Sequence, residues 1–87
     1  MRPTAVLATI SGRDRPGVTA AFFAALAAHD VDVRDVEQVV VQQRLIMAVL
    51  LELRGDPAAL RNSVSRAAHG LQLESEVTVL GDGEADD

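Results

Sequence analysis

The sequence predicts an α+β fold whose strands and helices follow one another in the order β-α-β-β-α-β. Two segments are apolar on both faces, as central strands are, and two alanine-containing segments carry apolar residues at helical spacing. Two further segments mix β-branched residues with charge, which is typical of edge strands. The chain has 87 residues, 48% of them hydrophobic and 2% aromatic, so we expect one small domain with an aliphatic core.

The first strand and the first helix are joined by the stretch SGRDRPGV, residues 11–18. The strand is predicted over residues 4–10, TAVLATI, and because both of its faces are apolar we expect it to be buried on both sides. Pro16 suits the first turn of the helix, where the missing N–H of proline would have had no partner. The residues that then recur at helical spacing are Val18, Phe22, Ala25, Leu26 and His29.

The second and third strands are predicted to form a hairpin. Residues 31–41 are rich in valine, but their alternation slips, and a β-bulge near Arg34 would explain the slip. Residues 44–53, RLIMAVLLEL, are apolar on both faces. The connection contains Gln42 and Gln43 without Gly or Asn, so a tight turn is expected whose type the sequence leaves open.

The second helix carries start and stop signals. Asp56 suits the N-cap, Pro57 suits the first turn, and Gly70 suits the C-terminal stop. Residues 71–80 then alternate between apolar and polar side chains, which predicts a strand with one wet face. The acidic stretch GDGEADD, residues 81–87, has no core residues and is expected to be a disordered tail or the start of a linker.

This order of elements predicts a ferredoxin-like sandwich, with two helices on one face of a four-stranded antiparallel sheet of order 4-1-3-2. Residues 1–80 are expected to form that single domain. Val39, Val40 and Val41 would lie on an open edge without a protecting Pro or Lys, and the face away from the helices is apolar. We therefore expect self-association or docking on a parent enzyme.

Composition excludes several classes of partner. A net charge of −5 and a pI of about 4.8 argue against a nucleic acid. The chain has neither a long apolar run nor a signal-peptide pattern, so we expect no membrane partner and a cytoplasmic location. It has no Cys, and His29 and His69 stand near helix ends without further ligands, so neither metal nor cofactor is expected.

The known activities of this fold fit the residues poorly. An RNA-binding sheet needs aromatic side chains on its central strands, and this sequence has none there. An acylphosphatase needs a loop Arg together with an Asn that positions water, but the only Asn is Asn62, on the second helix. The stretch DVDVR, residues 30–34, resembles a phosphatase nucleophile motif but follows a helix instead of a strand. No catalytic residue is expected.

The turn could hold a small ligand, because a helix N-terminus attracts a carboxylate through its free N–H groups. Gly17 has no Cβ to obstruct approach, and Pro16 fixes the entry angle. Asp14 could accept an ammonium or cap the helix, and Arg15 could reach an anion or lie in solvent. The alternative is that this turn binds no ligand and has only the structural role of starting the first helix.

The stretches GRDRPGVTAAFFAALAAHDVDV, VEQVVVQQRLIMAVLLEL and HGLQLE resemble an ACT domain. The resemblance covers roughly residues 4–80 and is greatest to the N-terminal ACT domain of actinobacterial-type phosphoserine phosphatases. Glycine-cleavage regulators and formyltetrahydrofolate deformylases carry similar DRPG loops. A non-catalytic regulatory domain is thus implied, one that pairs as a homodimer or within a longer chain.

The resemblance also implies a site for a small amino acid, serine or glycine, shared between two paired domains. Some serine-binding members carry Asn where this chain has Asp14 and Asp32, and an ionised Asp can only accept hydrogen bonds. A ligand-free dimerisation or assembly module and a glycine-cleavage-type regulator are the alternatives. The implied ligand-binding residues are Gly12, Arg13, Asp14, Arg15, Pro16, Gly17 and Val18 on one copy and Val31, Asp32 and Val33 on the other.

Overall fold

The computed structural model describes residues 2–81, and its six elements follow the predicted order. They are β1 (Thr4–Arg13), α1 (Val18–Ala27), β2 (Val31–Val41), β3 (Arg44–Leu53), α2 (Pro57–Gly70) and β4 (Glu74–Gly81). Neighbouring strands are antiparallel, and the sheet order is β2-β3-β1-β4. The ferredoxin-like fold and the central positions of the first and third strands are confirmed.

The core lies between the two helices and one face of the sheet. Alternate residues of β1 and β3 point into it, and Phe22 of α1, at 1% exposure, is its largest side chain. The opposite face has no covering layer among residues 2–81. Leu7 there is half-buried and Ile46 is 58% exposed. On the outer face of β1, Ala5 is fully buried but Leu7 and Thr9 are only half-buried, so the expectation that β1 is buried on both sides holds only in part.

The two helices begin differently. The helix α1 begins only at Val18, with Gly17 as its N-cap at φ 88°, so the prediction that Pro16 lies in the first turn is wrong. Within residues 2–81 no side chain caps α1, so Asp14 is not its cap. In α2 the predicted start is confirmed, because the Asp56 side chain accepts from the Ala58 N–H at 3.0 Å.

The end of α2 lies slightly beyond the predicted stop. Gly70 is its last helical residue, and the chain reverses at Gln72, which has a φ of 60°. The N–H of Leu73 donates to the Ala68 carbonyl at 2.8 Å and closes the turn. The last strand consequently begins at Glu74, three residues later than predicted. It continues through Gly81, and the rest of the predicted tail lies outside the described residues.

The β2–β3 hairpin contains the predicted bulge. The register passes from Val33 opposite Leu51 to Asp35 opposite Leu50, which leaves Arg34 as the extra residue. Gln42 and Gln43 form the two-residue turn with φ values of 53° and 65°. Two positive φ values are the mark of a type I′ turn, which Asn and Gly adopt more readily than Gln.

Candidate ligand-binding site

The loop before α1 is shorter than the sequence suggests, because Gly12 and Arg13 belong to β1. A Cβ at Gly12 would lie 2.5 Å from Leu73 Cδ2, so this glycine permits close packing of β1 on the α2–β4 turn. Val18 is also buried, at 1% exposure. The exposed part of the predicted motif is residues 14–17, together with Arg13 at the end of the strand.

The first turn of α1 offers amide donors beside this loop. The Val18 N–H is already used, since it donates to the Arg15 carbonyl at 3.3 Å, and the Ala21 N–H donates to the Gly17 carbonyl at 3.0 Å. The N–H groups of Thr19 and Ala20 have no acceptor within residues 2–81. The space next to Gly17 is open for at least 4 Å around an added Cβ. An anion could therefore approach these amides.

Two hydrogen bonds anchor the loop. The Asp14 N–H donates to the Gln43 carbonyl at 2.9 Å, which joins the loop to the β2–β3 turn. The Arg15 guanidinium donates to the Leu71 carbonyl, which joins it to the α2–β4 turn. Arg15 thus has a structural partner, whereas the exposed Asp14 carboxylate has no hydrogen bond or ion pair among the described residues.

The second part of the predicted site lies at the start of β2, where Asp32 is held by a residue that the sequence analysis missed. Arg54 Nη1 donates to Asp32 Oδ2 at 2.9 Å and lies 3.9 Å from Asp30 Oδ1. The hydrogen bond with Asp32 and the charge of its carboxylate raise the pKa of Arg54. Leu53 pairs with Val31, and Arg54 directly follows Leu53. The register of the hairpin was therefore the one signal in the sequence that could have placed Arg54 close to Asp32.

A single chain does not bring these two parts together. Val31 lies opposite Leu53, at one end of β3, whereas Arg13 lies opposite Arg44, at the other end. The 10 residues of β3 separate them, which at about 3.3 Å per residue corresponds to about 30 Å. A site that uses both parts must therefore combine two copies of the domain.

The ACT domain family model matches residues 4–78, nearly the whole of the described fold. The chain belongs to the ACT domain family. It is 47% identical over 72 residues to phosphoserine phosphatase SerB2 of Mycobacterium tuberculosis, covering 79% of this chain and 18% of that protein. It is 43% identical over 74 residues to a phosphoserine phosphatase of Streptomyces coelicolor, covering 83% of this chain and 18% of that protein.

The sheet architecture also agrees with a solved ACT domain protein from Streptococcus pneumoniae. That structure has a TM-score of 0.77 at 19% identity and covers 87% of this chain and 89% of its own. The ACT domain is a regulatory fold, and the catalytic activity of the two phosphatases lies in a separate domain outside the matched segment. This chain spans less than a fifth of their length.

The described residues hold neither a metal-binding cluster nor a membrane-spanning helix. Residues 2–81 contain no group of three His, Cys, Asp or Glu side chains that could hold a metal ion. His29 instead lies 2.7 Å from Ser63 Oγ, a contact that ties the end of α1 to α2. None of the described helices has the length and apolar character needed to cross a membrane.

Proposed function

We propose that this domain binds a small amino acid, serine in the first instance, at a site shared by two paired copies, and regulates an attached enzyme. The enzyme would be a phosphoserine phosphatase of serine biosynthesis, of which residues 1–80 are the N-terminal domain. Its relatives named phosphoserine phosphatase, at 43–47% identity, support the assignment of the parent enzyme. Ligand binding would favour one pairing of the domains and so shift the population of catalytic states.

The observation that carries this proposal is that the two predicted parts of the site lie at opposite ends of the β2–β3 hairpin, whose outer strand is an open edge. β2 is one of the two edge strands, and Val39 and Val41 on it are 51% and 60% exposed. Antiparallel pairing of β2 with a second β2 would place residues 31–33 of one copy beside the Gln42–Gln43 turn of the other. That turn contacts Asp14 through the Gln43 carbonyl.

The distances then suit a small ligand. Across the paired edge, β1 of one copy and β2 of the other are three strand spacings apart, about 14 Å. Side chains from both backbones and one amino acid can fill that span. The free amides of Thr19 and Ala20 would receive the carboxylate, and Asp14 on one copy with Asp32 on the other would receive the ammonium.

The test is calorimetric titration of the chain with L-serine, glycine and phosphoserine, with light scattering to measure mass. The proposal predicts saturable heat with serine and a stoichiometry tied to dimer formation. Asp14→Ala should abolish the heat while changing the free energy of unfolding by less than about 0.5 kcal/mol, because Asp14 does not cap α1.

Glu76→Ala is the matched control, because it removes one exposed carboxylate on the opposite edge strand and should leave the heat unchanged. A well-folded dimer that gives no heat with any of the three compounds would contradict ligand binding. It would support the alternative, an assembly module whose DRPG loop serves only its own fold.

A further inference from the structure

The face of the sheet that points away from the helices, here called the open face, has an apolar centre. The central strands β1 and β3 contribute Leu7, Ile46, Ala48 and Leu50 to it. Ile46 is 58% exposed, while Leu7, Ala48 and Leu50 are half-buried without any second layer above them among the described residues. An aliphatic strip of this kind gains free energy when another apolar surface covers it.

Both edge strands add carboxylates beside this strip. In the middle of the sheet, Glu37 of β2 lies opposite Ala48 of β3. Ala48 also pairs with Thr9 of β1, and Thr9 lies opposite Glu76 of β4. Two residues before Glu37, Asp35 of β2 lies opposite Leu50 of β3. Two residues before Glu76, Glu74 of β4 lies opposite Ser11 of β1, nearer to the β2–β3 turn. The apolar strip therefore runs between two acidic rows, Asp35 with Glu37 and Glu74 with Glu76.

Each acidic row borders a shallow depression in the open face. The depression on the β2 side has a volume of about 160 Å³ and is lined by Leu7, Asp35, Glu37, Ala48 and Leu50. The one on the β4 side has a volume of about 110 Å³ and is lined by Thr9, Ser11, Glu74, Ser75 and Glu76. Each offers apolar or hydroxyl walls with two carboxylates, an environment suited to the stem and the charged head of Lys or Arg.

Basic residues occupy only the two ends of this face within residues 2–81. Arg13 and Arg44 lie opposite each other at the hairpin end, and Arg34 lies 3.7 Å from Glu52 near the other end. The middle of the face is therefore acidic at both edges. A second copy packed here in an aligned sandwich would bring acidic rows against acidic rows in either direction, which like-charge repulsion disfavours.

We propose that the open face docks an amphipathic helix of a partner polypeptide whose apolar stripe is flanked on both sides by Lys or Arg. The two acidic rows are three strand spacings apart, about 14 Å, and an α-helix with its side chains is about 10–12 Å wide. A helix lying along the strip would place its basic flanks over the two depressions. Arg13 and Arg44 favour its C-terminal, negative end at the hairpin.

The probes are two synthetic helical peptides of about 14 residues, which span about 21 Å. They share one Leu/Ala stripe, and their flanking positions are Lys in one peptide and Glu in the other. Titration of the ¹⁵N-labelled chain should shift the amide resonances of Leu7, Ala48 and Leu50 with the Lys peptide only. Binding should weaken as sodium chloride rises from about 0.05 to 0.5 M.

The variant Glu37→Gln/Glu76→Gln should lower the affinity for the Lys peptide by about three- to tenfold, since it removes one carboxylate from each row. The control Asp30→Asn/Asp56→Asn removes the same charge outside the two acidic rows, Asn can still cap α2 at position 56, and the affinity should stay unchanged. Equal weakening by both variants would show unspecific charge attraction and overturn the proposal. Binding of both peptides alike, or of neither, would overturn it too, as would a dimer that Ile46→Lys dissociates.

Discussion

Gly12 and Gly17 flank the same loop, yet replacing each with Ala should have different consequences. Gly12 has a φ of 152°, and an added Cβ would lie 2.5 Å from Leu73 Cδ2 and 3.4 Å from Leu73 Cα. Gly17 has a φ of 88°, but an added Cβ would meet nothing within 4 Å. Gly12→Ala therefore combines backbone strain with a steric clash, whereas Gly17→Ala introduces strain alone.

The magnitudes follow from these two terms. A residue other than Gly at positive φ costs about 1–2 kcal/mol. Displacing the Leu73 side chain, which is 8% exposed, costs about 1–2 kcal/mol more. We expect Gly12→Ala to lose about 2–4 kcal/mol and Gly17→Ala about 1–2 kcal/mol. For a domain of this size, the first loss corresponds to a fall in Tm of about 10–25 °C.

Urea unfolding followed by circular dichroism measures both losses on the same scale. Gly12→Ala/Leu73→Ala supplies a second check, since removing the clashing methyl groups should make Gly12→Ala less damaging than it is beside Leu73. If Gly12→Ala loses no more stability than Gly17→Ala, the close packing of β1 on the α2–β4 turn is refuted.

Three further predictions concern the core, a cap and the edge. Phe22→Ala should lose about 3–5 kcal/mol in urea unfolding, because the largest core side chain is removed; a loss under about 1 kcal/mol would show that it is not packed there. Asp56→Ala should lose about 1 kcal/mol in the same assay, since its side chain accepts from the Ala58 N–H, and an unchanged midpoint would contradict that cap. Val36→Lys, at the middle of β2, should reduce the mass measured by light scattering, whereas Ile46→Lys on the open face should not. The reverse pattern would place the pairing surface on the face.

Much of the fold could be predicted because burial and alternation are visible in the local pattern of apolar residues. The two segments that are apolar on both faces predicted the central strands, and the break in the valine alternation predicted the bulge at Arg34. The helix start at Asp56 was readable because a carboxylate cap is a local device. The start of α1 was not, because Gly17 caps it through its backbone and leaves Pro16 outside the helix.

The candidate site was less accessible, because its geometry depends on long-range register. Nothing local in RDRPG shows that Arg15 donates to Leu71, 56 residues away. The ion pair between Asp32 and Arg54 likewise depends on the pairing of β2 with β3. The turn at Gln42 and Gln43 has no sequence signal, because glutamine rarely adopts positive φ.

The central claim, a ligand site composed of two copies, is tested most directly by mixing two inactive variants. Asp14→Ala removes the loop carboxylate and Asp32→Ala removes the β2 carboxylate, so each variant alone should give no heat with L-serine. In a mixed dimer one site receives both intact residues, so an equimolar mixture should regain about one quarter of the sites. A mixture that stays silent, while light scattering shows dimers and the unaltered chain binds serine, would contradict the shared site.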